Sequence, residues 1–518
     1  MLRRILGIAV AVGWVVLLGA VVAPLLGGVW AVFGSDRVST LVVGSPDVRR
    51  LALQSVALSV VATLTALTLG ILPSAVLGSC SRRAWSWLVG LILAPLIVPP
   101  QVYAYAWGLL GSGGTQRWAG GAVRAGVISG AWLWPIVALV IAAGWRSTGR
   151  AVYRMALLDA APLSAFMRVV LPSLRPTLVA ASCLVAGITL IEYAIPHLTL
   201  CRVWSTELMV LVEVGAPAGQ IVRMAVQPFI CAVLLMVVAW RLVRGSGSWE
   251  AIQDDTTFDA AERLNRRLFG SCGPLASGGA ALIWLATLGL PVGLMLANLR
   301  VPGAWMQGLA MFSRQWADSL QVSVAAGLAS VVLAVATAGW WRASGRQIPR
   351  WGGLAALLVA AVPPPAMGVG LVMVFNRGGL IGEVYAQTPL VWTLALVGRY
   401  GAVAVLILWM TLGRRDIATV DQARVDGGTG LDILGHVLLP LIWPSLMAAG
   451  LIVAVLAMFE VVVTQMTVPP AYGSIAMTIL NYMHYGRDDA VIASSVTVMV
   501  AGVLLTQVCA HFLSRVGK

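Results

Sequence analysis

Apolar and polar positions alternate along this chain on a long period. Apolar runs occupy residues 5–26, 51–77, 87–109, 123–144, 174–194, 221–243, 274–297, 319–341, 351–374, 389–411, 445–466 and 489–513. Each approaches the ~20 residues an α-helix needs to cross a bilayer. The pattern predicts an all-α polytopic membrane protein with about twelve transmembrane helices. Helices are expected because a spanning segment must satisfy its own backbone polar groups. Arg3 and Arg4 precede the first run, which exceeds the about 7–15 residues of a signal-peptide core. It is expected to be an uncleaved span with its N-terminus inside. Residues 28–50 and the glycine-rich 111–121 then fall outside. Residues 244–270 break the pattern with Gly245–Ser248 and a charged stretch that includes Asp254, Asp255, Glu262, Arg266 and Arg267. This reads as a solvated linker on the inner side. The predicted organisation is a six-helix unit over 1–243, a linker over 244–273 and a second six-helix unit over 274–518.

The second unit repeats features of the first. Pro172 and Pro440 lie 268 residues apart (440 − 172), as do Leu171 and Leu439, Val169 and Val437, and Glu192 and Glu460. Pro99-Pro100 match Pro364-Pro365 at 265 (364 − 99), and Ser59 matches Ser323 at 264 (323 − 59). These offsets predict one duplicated unit, with parallel copies related by an axis along the membrane normal.

Composition sharpens this picture. Hydrophobic residues make up 59% of the chain and charged residues 10%, against about 25% charged in soluble domains. The net charge is +14, yet Lys518 is the single lysine among 34 basic residues. With the N-terminus inside, most of those 34 fall on inner segments, including Arg82, Arg83, Arg146, Arg154, Arg342 and Arg424. That bias follows the positive-inside rule and accounts for the basic charge without nucleic acid. It places both termini in the cytoplasm. The six cysteines are scattered, with no C-x-x-C, so neither a metal centre nor a disulfide framework is indicated. A Walker A loop needs a lysine inside G-x-x-x-x-G-K-[ST]. This chain has none, so any ATP hydrolysis belongs to another subunit. No H-E-x-x-H and no nucleophile constellation points to a membrane enzyme.

The most informative polar interval is 421–440, DQARVDGGTGLDILGHVLLP. Asp421, Arg424, Asp426 and Asp432 would each cost roughly 2.5–3.5 kcal/mol at mid-membrane, so the segment lies in water. It reads as a helix, a glycine break at Gly427, Gly428 and Gly430, a second short helix, and a stop at Pro440. Leu431, Leu434 and Leu438 form one apolar stripe. Read without reference to any family, it is a cytoplasmic loop with a glycine turn.

The same interval resembles the EAA loop of the membrane subunits of bacterial ABC importers. That pattern is E-A-A, three residues, Gly, nine residues, Ile, one residue, Leu-Pro. Asp421, Gln422, Ala423, Gly427, Val437, Leu439 and Pro440 occupy the matching places. The resemblance implies a coupling helix that docks on an ATPase subunit. Residues 153–172, YRMALLDAAPLSAFMRVVLP, lie in the same register but are degenerate. Tyr153-Arg154-Met155 replaces E-A-A and Asp159 stands where glycine is expected, while Leu171-Pro172 keeps the Leu-Pro end. The second loop is therefore expected to dominate coupling.

A fused two-repeat chain is similar to the ferric-ion importer permeases and their thiamine relatives. PLIVPPQVYAYAW (95–107), Leu174-Arg175-Pro176, IEYAIP (191–196), FEVVVTQMTVPP (459–470) and NYMHYGRDD (481–489) add to that likeness. The resemblance implies a non-enzymatic permease of the bacterial inner membrane carrying a small solute, foremost ferric iron. It implies two ATPase subunits on the cytoplasmic side holding ATP and Mg, an external binding protein, and no cofactor in this chain. The competing class is a twelve-helix secondary transporter driven by an ion gradient, which would not need the 421–440 spacing.

Candidate pathway residues come from the spans. Glu192 and Glu460, late in the fifth and eleventh, are intramembrane carboxylates and so functional candidates. They could line a cation pathway, or each could cap a helix end or pair with an arginine. Pro99, Pro100, Pro364 and Pro365 open the backbone ladder, as a pathway lining or a packing kink would. Arg399, beside Tyr400, is expected to pair with an acid or snorkel. His197 and His484, near Tyr193, Tyr482 and Tyr485, could ligate iron but are ordinary loop residues otherwise.

Overall fold

The computed structural model describes residues 2–33, 46–80, 82–111, 121–146, 150–165, 168–169, 171–245, 273–301, 303, 310–344, 351–414, 417–484 and 488–515. Residues 246–272 of the expected linker, Cys272 among them, the two expected outer loops at their centres, and Tyr485 lie outside these residues. Among the described residues every regular element is helical and none is a strand.

The first half of the chain runs through α1 (Arg3–Phe33), α2 (Pro46–Ser79), α3 (Arg82–Ile97), α4 (Pro100–Gly108) and α5 (Gly121–Gly144). It continues with α6 (Arg150–Asp159), α7 (Arg175–Ile191), α8 (Ala194–Leu198), α9 (Trp204–Glu213) and α10 (Ala218–Gly245). The second half contains α11 (Ser277–Ala297), α12 (Ser313–Ala343), α13 (Gly352–Ala360), α14 (Pro364–Phe375), α15 (Leu380–Gln387) and α16 (Leu390–Arg414). It ends with α17 (Ile417–Val425), α18 (Gly430–Met458), α19 (Val462–Thr467), α20 (Ile475–His484) and α21 (Asp488–Arg515).

Nine described helices are long and apolar enough to cross a membrane: α1, α2, α5, α10, α11, α12, α16, α18 and α21. Counting each bent pair as one span gives up to eleven. Three of the expected spans, the third, fifth and ninth, are not single long helices. The fifth expected span is a helix of 17 residues, α7, which stops at Ile191. The third and ninth are bent pairs, α3–α4 at 75° and α13–α14 at 89°.

The bends have a local cause. A residue preceding proline is pushed out of the α region by the pyrrolidine ring. Pro99, before Pro100, sits at φ −54°, ψ 134°, and Pro363, before Pro364, at φ −58°, ψ 130°. Each following proline then opens a new helix, where its missing N–H is no loss. The two breaks therefore lie 264 residues apart (363 − 99), the offset of Ser59 and Ser323. The register of Pro99-Pro100 with Pro364-Pro365 is thus corrected by one residue. Carbonyls freed at the breaks are bonded from a facing helix: Trp132 Nε1 donates to Val98 O at 3.0 Å and Arg399 Nη1 to Ala360 O at 3.3 Å.

Within each half, three helices pack as a core: α2, α5 and α7 in the first, α12, α16 and α18 in the second. The flanking helices cross over. α1 packs on α12 and α14, and α11 packs on α2, α3 and α4. Likewise α10 lies against α13 and α14, and α21 against α3. The α1–α14 crossing requires glycine: a Cβ on Gly370 would come 2.0 Å from Pro24 O, and one on Gly27 would come 2.4 Å from Gly370 O. Short helices dock on the cores by serine bonds. Trp204 N donates to Ser55 Oγ at 3.0 Å, and Ile475 N to Ser319 Oγ at 2.9 Å.

Candidate functional site

The interval 417–440 folds as two helices around a glycine turn. α17 ends in a Schellman motif: Gly427 N donates to Arg424 O at 2.9 Å and Gly428 N to Ala423 O at 3.0 Å. Gly427 takes the left-handed conformation this cap needs, with φ +85°. The chain restarts at Thr429, whose amide donates to Asp432 Oδ2 at 3.1 Å in a capping box. From Gly430 the helix continues to Met458, so the expected stop at Pro440 does not occur. A π-helical turn over Ile433–Leu438 precedes the proline. Widening the ladder there accommodates a residue without an N–H, whose ring would clash in a regular α turn.

This loop is seated on the body by its apolar side. Val420, Ile433, Leu434 and Leu438 are buried in one cluster with Val10 of α1 and Ala338 of α12. Leu431, expected on the stripe, is half-buried beside Gly7 of α1. Polar contacts complete the seat. Arg3 grips Asp432 with two bonds, Nε to Oδ1 at 2.6 Å and Nη2 to Oδ2 at 2.7 Å. Arg424 Nη2 donates to Arg342 O at 3.2 Å and to Ala343 O at 3.4 Å. Ala423, Val437 and Leu439 are half-buried, whereas Asp421, Gln422, Asp426, Gly427 and Pro440 face outward. Val425 stands among them with 87% of its surface exposed. Sequence reasoning passed over Val425, because one valine in a polar segment carries no directional signal.

The matching stretch in the first half is less regular. α6 ends at Asp159, which is exposed and holds the place of the glycine cap. Helical turns follow at Pro162–Ala165 and Leu171–Ser173, the latter containing Leu171 and Pro172. The side chains of Tyr153, Arg154 and Leu171 lie outside the described residues. Met155 and Leu158 are exposed by 71% and 84%, an apolar outward edge.

The turns that follow Glu192 and Glu460 meet at the seam between the halves. Each glutamate follows a core helix and turns its carboxylate onto the next backbone amides. Glu192 accepts from Ala194 N at 2.7 Å and Ile195 N at 3.1 Å. Glu460 accepts from Val462 N at 3.2 Å, Val463 N at 3.0 Å and Thr464 N at 3.2 Å. Of the readings open for these acids, this geometry is helix capping. Tyr193, Ala194 and Met209 pack with Val462 across the seam, and Gln101 Nε2 donates to Phe459 O at 3.1 Å. On α16 the Arg399 guanidinium lies 5.6 Å from the Tyr400 ring centre. Pro99, Pro364 and Pro365 are buried, and Pro100 is half-buried.

Elsewhere, His197 stacks on Tyr193 with ring centres 4.8 Å apart, and the His484 side chain lies outside the described residues. Among the described residues no group of three or more His, Cys, Asp or Glu is placed to hold a metal ion. Arg202, in the α8–α9 connection, pairs with Glu207 at 2.9 Å; this hydrogen-bonded carboxylate holds its guanidinium above the ordinary value. Two grooves of about 310 and 270 Å³ lie along α1 and the α13–α14 bend. Both are lined by residues without ionisable groups and offer no charge to a polar cargo. No protein-family model, no curated protein and no solved structure matches the chain.

Proposed function

We propose that this chain is the fused membrane subunit of a bacterial ABC importer, moving a small solute, foremost ferric iron, across the inner membrane. The observation that carries this reading is the 417–440 loop. It is a polar helix-turn-helix seated on the membrane body, and Asp421, Gln422, Val425 and Asp426 face away from it. A rigid platform with an apolar tip and an acidic rim suits docking of a partner subunit. Two ATPase subunits would sit on this loop and on α6, holding the ATP and Mg. Their closure would rock the two halves about the seam that contains Glu192 and Glu460.

The two-repeat, twelve-span organisation belongs to the same proposal. It is supported by the paired bends at Pro99 and Pro363, the paired serine bonds of Ser55 and Ser319, and the paired caps of Glu192 and Glu460. The crossing of α1 and α11 onto the opposite halves supports it further. In this reading α7 is the fifth span, completed by the turn after it. Missing glycine at Asp159 makes the first platform looser and coupling asymmetric.

The test is co-purification with candidate ABC ATPase subunits. Wild type retains an ATPase through solubilisation, whereas Val425→Glu loses it while keeping its own fold, because Val425 touches little of this chain. Retention by Val425→Glu would remove the loop as the docking platform. Failure of wild type to retain any ATPase would return the chain to the gradient-driven class.

A further inference from the structure

We infer that α15 is an interfacial helix, seated by Leu380 and Ile381 in the phospholipid layer of the membrane the chain spans, with Arg377 as its contact to the lipid phosphates. This inference needs only that the chain crosses a bilayer and does not depend on the transport reading.

Position comes first. α15 (Leu380–Gln387) joins the bent pair α13–α14 to the span α16. It precedes α16 and the 417–440 loop follows it, so the two lie at opposite ends of one spanning helix. None of the eight residues of α15 is buried. Leu380 is 80% exposed and Ile381 52%. With Val384 they fall at i, i+1 and i+4 on one face, while the exposed Glu383 and Gln387 fall on the other. An amphipathic helix of this kind lies in the plane of the membrane interface, apolar face inward.

The seat is held by specific contacts. Gly379 enters the helix at φ +78°, a conformation that glycine adopts readily. Tyr385 Oη donates to Met466 O at 2.8 Å and ties α15 to the body. Arg377 Nε donates to Met373 O at 3.1 Å, and its guanidinium lies 4.9 Å from the ring centre of Trp30 on α1. Arg377 and Trp30 are both exposed. Tryptophan settles at the headgroup level, and arginine reaches its charge to the same level. A guanidinium fork matches the oxygens of a phosphate.

The surroundings of this face select lipid over a soluble partner. Arg377 and Trp30 connect α15 to the exposed apolar surface of α1, where Leu26, Val29 and Phe33 are uncovered. On a membrane span such a surface meets acyl chains. α15 therefore continues a lipid-facing surface at the end of α1.

The test places a photo-activatable benzophenone amino acid at one position of the full-length protein, reconstituted in vesicles of phosphatidylethanolamine and phosphatidylglycerol. After illumination, the intact mass is read for an added phospholipid. Placement at Leu380 or Ile381 is expected to give severalfold more lipid adduct than placement at Glu383 or Gln387. All four side chains are exposed, so the replacements leave the fold intact. Adding Arg377→Gln is expected to lower the yield at Leu380. Equal yields at the four positions, or no lipid adduct at Leu380 and Ile381, overturn the inference. So does cross-linking of both positions to a second copy of the chain, because protein would then cover the face. An unchanged yield at Leu380 in the Arg377→Gln protein overturns the role given to Arg377.

Discussion

Gly427 shows how one residue sets the shape of a surface. Its φ of +85° lies where a Cβ is strained, yet a Cβ there would meet nothing within 4 Å. The cost of substitution is therefore backbone strain alone. Left-handed geometry costs an L-residue roughly 1–2 kcal/mol, and asparagine tolerates it better than most. Gly427→Val should loosen the Schellman turn, so that amides 426–428 exchange hydrogen about 5–30-fold faster. Gly427→Asn should stay close to wild type. Equal exchange in the two variants would argue against strain as the reason for glycine. This glycine was legible in the sequence because few residues serve a turn so well. Val425, two residues earlier, was not, since exposure depends on which way the docked helix faces. Glu192 and Glu460 were found as paired acids, but their role as caps follows from where the chain turns after them.

At the scale of elements, proline decides where helices end and where they bend. The Pro-Pro steps at 99–100 and 363–364 break two spans, whereas Pro440 is absorbed by a π turn. The difference is the residue before each proline: Pro99 and Pro363 leave the α region, while Leu439 stays in it at φ −57°, ψ −46°. Close crossings of elements are set by glycine. Gly370→Ala places a methyl against the Pro24 carbonyl, a backbone atom that cannot swing aside. Overpacking of this kind costs about 1–3 kcal/mol, so the thermal midpoint should fall. Gly293→Ala on α11, where a Cβ meets nothing within 4 Å, should leave it unchanged or raise it. A Gly370→Ala protein as stable as Gly293→Ala would mean that α1 does not approach α14 this closely.

For the whole molecule, the defining feature is exchange of flanking helices between halves. α1 and α10 lean on α13–α14 or its neighbours, and α11 and α21 lean on α3. Neither half buries its surfaces alone, which makes the chain one unit. The proposed orientation makes a sidedness prediction. Val425 and Leu200, exposed by 87% and 91%, are expected on opposite faces of the membrane. In the Val425→Cys protein, an impermeant maleimide should label inverted vesicles and spare right-side-out ones. The Leu200→Cys protein should show the reverse. Labelling of both from one side would break the topology.

Much of this organisation follows from the chain alone. A run of about twenty apolar residues must become a helix in a bilayer, since no water is present to satisfy its backbone. That made the class, the approximate helix positions and the polar 421–440 platform readable, and recurring spacings marked the paired elements. Tertiary structure decided the rest: the angles of the bends at Pro99 and Pro363, the π turn before Pro440, the outward face of Val425, and the meeting of the turns that follow Glu192 and Glu460. These depend on contacts between residues hundreds of positions apart, as when Gly370 meets Pro24. Hydrophobic periodicity records that a position is buried or exposed, and it holds no record of the partner that does the burying.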